Sequence, residues 1–106
     1  MTLDEQYQKI IDDQRTHLLK IQDDFNAACD NSKAQAQKRL GEVAPENKEA
    51  REQILKDQKQ ELETALKTLK QLVDHSTRET MKKLEDIVRQ KEAQLLGDLE
   101  KQLAAL

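Results

Sequence analysis

The chain has 106 residues, of which 37% are charged, 36% hydrophobic and only 2% aromatic, and its net charge is −3. This length suits one domain, and the abundance of Leu, Glu, Lys and Gln is typical of long helices and coiled coils. Positive and negative residues are interspersed, so we expect no patch that binds nucleic acid. Disorder is disfavoured because the apolar residues recur at three- and four-residue steps.

Targeting signals are not evident in the sequence. No run of about 18 apolar residues is present, so we expect no transmembrane segment. Residues 1–9 lack the basic start and the apolar core of a signal peptide, and we therefore expect a cytoplasmic protein. The single cysteine, Cys29, has no second cysteine with which to form an intrachain disulfide.

The first predicted helix covers residues 2–40. Thr2 and Glu5 match a capping box, in which the threonine hydroxyl accepts a hydrogen bond from the backbone three residues later. An apolar stripe then follows the helix from Leu3 to Leu40, although small and polar residues replace large ones between residues 27 and 36. We expect this thin part of the stripe to be the weakest segment of the helix.

The predicted loop covers residues 41–44. Gly41 suits the left-handed conformation that closes many helices, and Pro45 suits the first position of the helix that follows. A connection of about four residues is typical of antiparallel neighbours. The sequence therefore predicts an all-α fold built on a long antiparallel helical hairpin of the coiled-coil type.

The second predicted helix covers residues 45–103, and its continuity has one alternative. Ser76 and Glu79 match a second capping box, so a break near His75 and Ser76 would produce a three-helix bundle. No glycine or proline lies between Asn47 and Leu96, which favours one continuous helix. Polar residues interrupt the apolar stripes, and we interpret them as positions that fix the helix register; they include Gln14, Gln58, Ser76, Thr80 and Lys91.

The two predicted helices differ in length, and this difference predicts an interaction surface. Folding the chain about the loop pairs Phe25 with the region of Leu62 and Leu3 with that of Leu84. Residues after about Glu85 then extend beyond the first helix without a partner. We expect the apolar residues of this segment to bind a protein partner or a second copy of the chain: Ile87, Val88, Leu95, Leu96, Leu99, Leu103 and Leu106.

The expected function is that of a structural or adaptor coiled-coil protein. It would self-associate as a homodimer that forms a helical bundle, or bind a partner helix along the apolar stripe. One alternative is a small secretion-type chaperone that shields the amphipathic helix of its partner. Another is a reversible lipid-surface binder, which the scarcity of aromatic residues and the acidic balance argue against.

We expect no catalytic, cofactor or metal site, and therefore no enzyme. Asp13 and His17 lie four residues apart and could share a metal with His75, but carboxylates are abundant in this chain and no Glu-x-x-His motif is present. Cys29 has no histidine nearby in the sequence, so we interpret it as a packing residue rather than a nucleophile. Gly41 and Gly97 are isolated and form no phosphate-binding loop.

Overall fold

The computed structural model describes all residues from Met1 to Leu106 and consists of two α-helices without β-strands. Helix α1 spans Leu3–Gly41 and helix α2 spans Lys48–Ala105. The predicted all-α helical hairpin is therefore confirmed. Charged residues recur along both helices, and neither helix contains a stretch that is apolar enough to span a membrane.

The predicted cap at the start of α1 is confirmed. The backbone amide of Glu5 donates a hydrogen bond to Thr2 Oγ1 at 3.1 Å, and the Thr2 hydroxyl donates to Glu5 Oε1 at 3.1 Å. Two acidic residues, Asp4 and Glu5, lie in the first turn, where they face the positive end of the helix dipole. This local chemistry explains why α1 begins next to Thr2.

The loop differs from the prediction at both of its special residues. Gly41 is the last residue of α1, and no glycine has a positive φ, so the predicted left-handed cap is wrong. Pro45 does not begin α2 but lies in a turn that the Asn47 amide closes by donating to the Ala44 carbonyl at 3.0 Å. Asn47 then caps α2, because its side-chain oxygen accepts a hydrogen bond from the Ala50 amide at 3.2 Å.

Helix α2 continues through His75 and Ser76, so the three-helix alternative is wrong. No glycine or proline lies at this point to interrupt the helix. Ser76 is buried, and its hydroxyl donates to Gln14 on α1 at 2.7 Å instead of capping a new helix. The capping-box pattern of Ser76 and Glu79 therefore arises by coincidence in a chain rich in glutamate.

The contacts divide the chain into two compact units, each built from antiparallel segments of α1 and α2. The first, which we call the terminal unit, comprises Met1–Leu18 and Asp74–Leu106. The second, which we call the loop unit, comprises Leu19–Val73 and contains the connection between the helices. Each unit buries few side chains, and no large side chain is completely buried.

The inward-facing residues recur every eleven positions. Eleven residues in three turns correspond to about 3.67 residues per turn, close to the 3.6 of a straight α-helix, so this row runs nearly along the helix axis. The seam between the helices thus has a different period from the seven-residue repeat of an ordinary coiled coil. The buried or half-buried members of the row are Ile10, Ile21 and Ser32 on α1 and Ile54, Ala65, Ser76 and Ile87 on α2.

The pairing of the helices is also shifted from the prediction. In the terminal unit, Asp4 forms an ion pair with Lys91, so the predicted pairing of Leu3 with Leu84 is wrong by about two turns. In the loop unit, Phe25 shares a groove with Leu69 rather than with Leu62. The longer loop, which ends only at the Asn47 cap, contributes to this displacement.

Candidate interaction surface

The predicted partner-binding residues do not all lie on one face of α2. Ile87 is 7% exposed and lies between Thr80 and Lys91, both of which contact α1. The prediction that Ile87 is available to a partner is therefore wrong, because the shifted pairing places it in the seam. Val88 is 55% exposed, since successive side chains on a helix point about 100° apart.

Seven apolar side chains form an exposed row along the terminal part of α2 and its last residue, and we call this row the tail stripe. Their exposed fractions range from 51% to 102%. Six of them were predicted, whereas Met81 was missed although it lies seven residues before Val88. The tail stripe consists of Met81, Val88, Leu95, Leu96, Leu99, Leu103 and Leu106.

The tail stripe has a period of seven residues. Met81, Val88 and Leu95 are seven apart, and Leu99 and Leu106 form a second such row beginning four residues after Leu95. Seven residues make about two turns, so these two rows share one face of the helix, as the central rows of a coiled coil do. Leu96 and Leu103 widen the face on one side.

Charged residues lie within the tail stripe and on both of its flanks. Glu92 is seven residues before Leu99 and therefore lies within the stripe. The flank that carries Leu96 also carries the cations Arg89 and Lys82, seven and fourteen residues earlier. The opposite flank carries Lys91 followed, seven residues later, by Asp98. On this second flank the cation Lys91 thus precedes the anion Asp98 in the direction of the chain.

A polar cluster links the two helices in the terminal unit. The hydroxyls of Ser76 and Thr80 donate to Gln14 Oε1 at 2.7 and 2.6 Å, and His17 Nδ1 lies 2.9 Å from Ser76 Oγ. Because the Ser76 hydrogen points to Gln14, we assign a proton to His17 Nδ1, which donates to Ser76. Every buried polar side-chain atom has a hydrogen-bond partner. The arrangement is suited to holding two helices in one register.

Of the two histidines, His17 belongs to this cluster and His75 lies beside it. Asp13, His17 and His75 line a groove of about 330 Å³ in the terminal unit. No group of three or more His, Cys, Asp or Glu side chains is arranged to hold a metal ion. His17 makes its hydrogen bond to Ser76 instead, and Cys29 is a half-buried free thiol in the loop unit.

The loop unit has polar contacts of its own and a second set of exposed leucines. Ser32 donates to Glu61 Oε2 at 2.7 Å, and Arg39 lies 3.2 Å from Asp57. Outside the tail stripe, several leucines of this unit are also largely exposed, without the seven-residue spacing of a continuous row. They are Leu19, Leu55, Leu66 and Leu72.

The chain was compared with known protein families, with curated proteins and with solved structures. None of the three comparisons found a match. The chemistry and spacing of the tail stripe, together with the polar cluster of Gln14, His17, Ser76 and Thr80, are therefore the basis for assigning a function.

Proposed function

We propose that the protein is a structural or adaptor coiled-coil protein that associates with another helix, foremost that of a second copy, through the tail stripe. The observation that carries this proposal is the exposure of the terminal part of α2. Beyond Lys91, every residue up to Leu106 is exposed except the half-buried Gly97. Leucines in this segment therefore have no apolar neighbour on α1.

The size of the stripe is consistent with reversible association. Full burial of one large apolar side chain contributes about 1.5–3 kcal/mol, and most side chains of the stripe are already about half buried, so covering the stripes of two copies contributes about 10–20 kcal/mol. Association itself costs about 4–15 kcal/mol in lost translational and rotational freedom. The two terms are similar in size, which supports a complex that forms and dissociates with concentration rather than a permanent one.

The side chains of the stripe favour a helix over a lipid surface as its partner. Helices that lie on membranes usually combine Trp or Phe with a basic polar face. The tail stripe contains no aromatic residue, since Tyr7 and Phe25 lie on α1, and it carries Glu92 within it and Asp98 beside it. Leucines at seven-residue spacing are instead the usual contact residues of paired helices.

The test removes the stripe without changing the seam. We expect the substitutions Leu95→Ser, Leu99→Ser and Leu103→Ser, combined in one chain, to convert the associated protein to a monomer, as measured by light scattering during gel filtration. The matched control combines Leu55→Ser, Leu66→Ser and Leu72→Ser, which replace leucines of the loop unit that are 44% to 53% exposed. The control should keep the mass of the native protein, because its three leucines lie outside the tail stripe. Both triple variants carry the same loss of helix propensity, so a difference in mass reports on the stripe.

Two outcomes contradict the proposal. One is a native protein that stays monomeric at all concentrations, and the other is a tail-stripe variant with unchanged mass. The lipid and chaperone alternatives make different predictions. A lipid-surface binder floats with anionic vesicles, whereas a chaperone gains helix only when its partner is added.

A further inference from the structure

We infer that the tail stripe pairs with the tail stripe of a second copy in antiparallel orientation, with Lys91 of each copy beside Asp98 of the other. This inference rests on the proposed function and specifies its geometry. It follows from the order of the charges on the two flanks, from the seven-residue spacing of the stripe and from the symmetry that two identical chains must obey.

Symmetry determines which flanks meet. A two-fold axis that makes two helices antiparallel brings each flank against the same flank of the other copy, in reversed order. A two-fold axis that makes them parallel brings opposite flanks together instead. In a parallel pair, Lys91 and Asp98 would face Leu96 and Leu103 of the second copy and would find no opposite charge. The parallel arrangement therefore leaves the charges of the stripe unpaired.

In the antiparallel arrangement, Lys91 and Asp98 do find opposite charges on the second copy. Because the shared flank carries Lys91 before Asp98, reversal places Lys91 of one copy beside Asp98 of the other, and symmetry repeats the contact. The same register sets Val88 opposite Leu99 and Met81 opposite Leu106 of the second copy. Exposed apolar residues at the two ends of the stripe thus cover each other.

Neighbouring registers are disfavoured by the same two charges. Sliding the pair by seven residues, two turns, in one direction brings Asp98 beside Asp98 of the second copy. Sliding it by the same amount in the other direction brings Lys91 beside Lys91. Like charges in these positions repel, so the flank specifies one register by attraction and excludes the adjacent registers by repulsion.

Both charged residues are accessible for this contact. Asp98 takes part in none of the ion pairs within the chain. Lys91 contacts Asp4 on α1, but both side chains are at least half exposed, and an exposed ion pair of this kind contributes little to stability. The Lys91 side chain can therefore turn towards the second copy without a large loss within its own chain.

The test exchanges charges between copies. Lys91→Asp alone and Asp98→Lys alone each replace two attractive contacts with two repulsive ones, so we expect each to raise the dimer dissociation constant about tenfold. An equimolar mixture of the two variants restores both attractive contacts in the mixed dimer. We expect its dissociation constant to return to within about threefold of the native value, measured by sedimentation with one variant labelled.

The controls reverse charges on the opposite face of the same helix. Lys101→Asp and Glu100→Lys make the same changes in net charge, neither residue has an ion pair within the chain, and both should leave the dissociation constant unchanged. Circular dichroism of each variant checks that the hairpin is folded; Asp98→Lys is the cleaner of the two because Asp98 has no ion pair within the chain to lose.

The outcomes separate this inference from the proposed function. If Lys91→Asp and Asp98→Lys dimerise as tightly as the native protein, or if their mixture gains nothing over the separate variants, the antiparallel register is overturned. The proposed function still stands in that case, provided that the triple serine variant of the tail stripe is monomeric. If the native chain itself does not associate, both are overturned.

Discussion

The seam between α1 and α2 and the tail stripe are two rows on the same helix, and they differ in both period and chemistry. The seam recurs every eleven residues and buries isoleucines together with small or polar residues such as Ser32, Ala36 and Ser76. The tail stripe recurs every seven residues and exposes leucines. Small residues allow two helices to approach closely, whereas exposed leucines stay in water until another molecule covers them. Helix α2 therefore carries one row that α1 covers and a second apolar row that the chain leaves exposed.

The difference in period has a geometric consequence. A row of period eleven stays nearly in line with the axis of a straight helix, while a row of period seven drifts by about 20° in every seven residues unless the helices supercoil. The two rows therefore require different packing geometries of any helix that covers them. Ile87 and Val88 mark the place where the rows run side by side, since one faces α1 and the other faces solvent.

The largest expected effect comes from removing a seam residue. Ile87→Ala should lower the free energy of unfolding by about 2–4 kcal/mol, because it deletes buried methyl groups and leaves a cavity. Val88→Ala, one residue later, should lower it by no more than about 0.5 kcal/mol, as is usual for exposed positions. Urea unfolding at a concentration where the protein is monomeric measures both. Equal losses would show that the two residues do not belong to different surfaces.

Association through the tail stripe should become stronger when a charge within the stripe is removed. Glu92 faces Leu95 of the second copy in the antiparallel register, so Glu92→Leu should tighten association at least about tenfold. Glu100→Leu, outside the stripe, should change the dissociation constant by less than about threefold. Sedimentation at several concentrations gives both values. Equal decreases in the dissociation constant for the two variants would indicate nonspecific hydrophobic association rather than association through a defined stripe.

A smaller effect is expected in the polar part of the seam. Ser76→Ala removes the hydrogen bonds to Gln14 and His17, which contribute about 0.5–1.5 kcal/mol each, and alanine recovers part of this loss through its higher helix propensity. We expect a net loss of about 1 kcal/mol in unfolding free energy. Thr77→Ala, on the exposed side, should stay within about 0.5 kcal/mol of the native protein. If Ser76→Ala instead stabilised the protein, the polar cluster would fix the helix register while lowering the free energy of unfolding.

The smallest expected effect concerns the two glycines, one at the end of α1 and one in the terminal part of α2. Neither has a positive φ, and a Cβ at either position would meet nothing within 4 Å. Gly41→Ala and Gly97→Ala should therefore each stabilise the protein by about 0.5–1 kcal/mol in thermal or urea unfolding. A loss at Gly41 would instead indicate the left-handed cap that the sequence suggested.

Some of these features could be predicted from the sequence, and others depend on contacts between distant residues. Helix type, the hairpin and the Thr2 cap follow from local periodicity and capping chemistry. Asn47 was missed because Pro45 suited the start of a helix equally well. The assignment of Ile87 failed because helix pairing depends on the real loop length and on contacts such as that of Asp4 with Lys91, which local patterns do not encode. The period of eleven became evident only from the pattern of burial.

The most direct test of association through the tail stripe is the solution mass of the native chain and of the triple serine variant over a hundredfold range of concentration. If the tail stripe mediates dimerisation, the native mass rises with concentration from that of one chain towards that of two, while the variant keeps the mass of one chain throughout. Two results would contradict it: a native protein that stays at the mass of one chain, or a variant that associates as the native protein does.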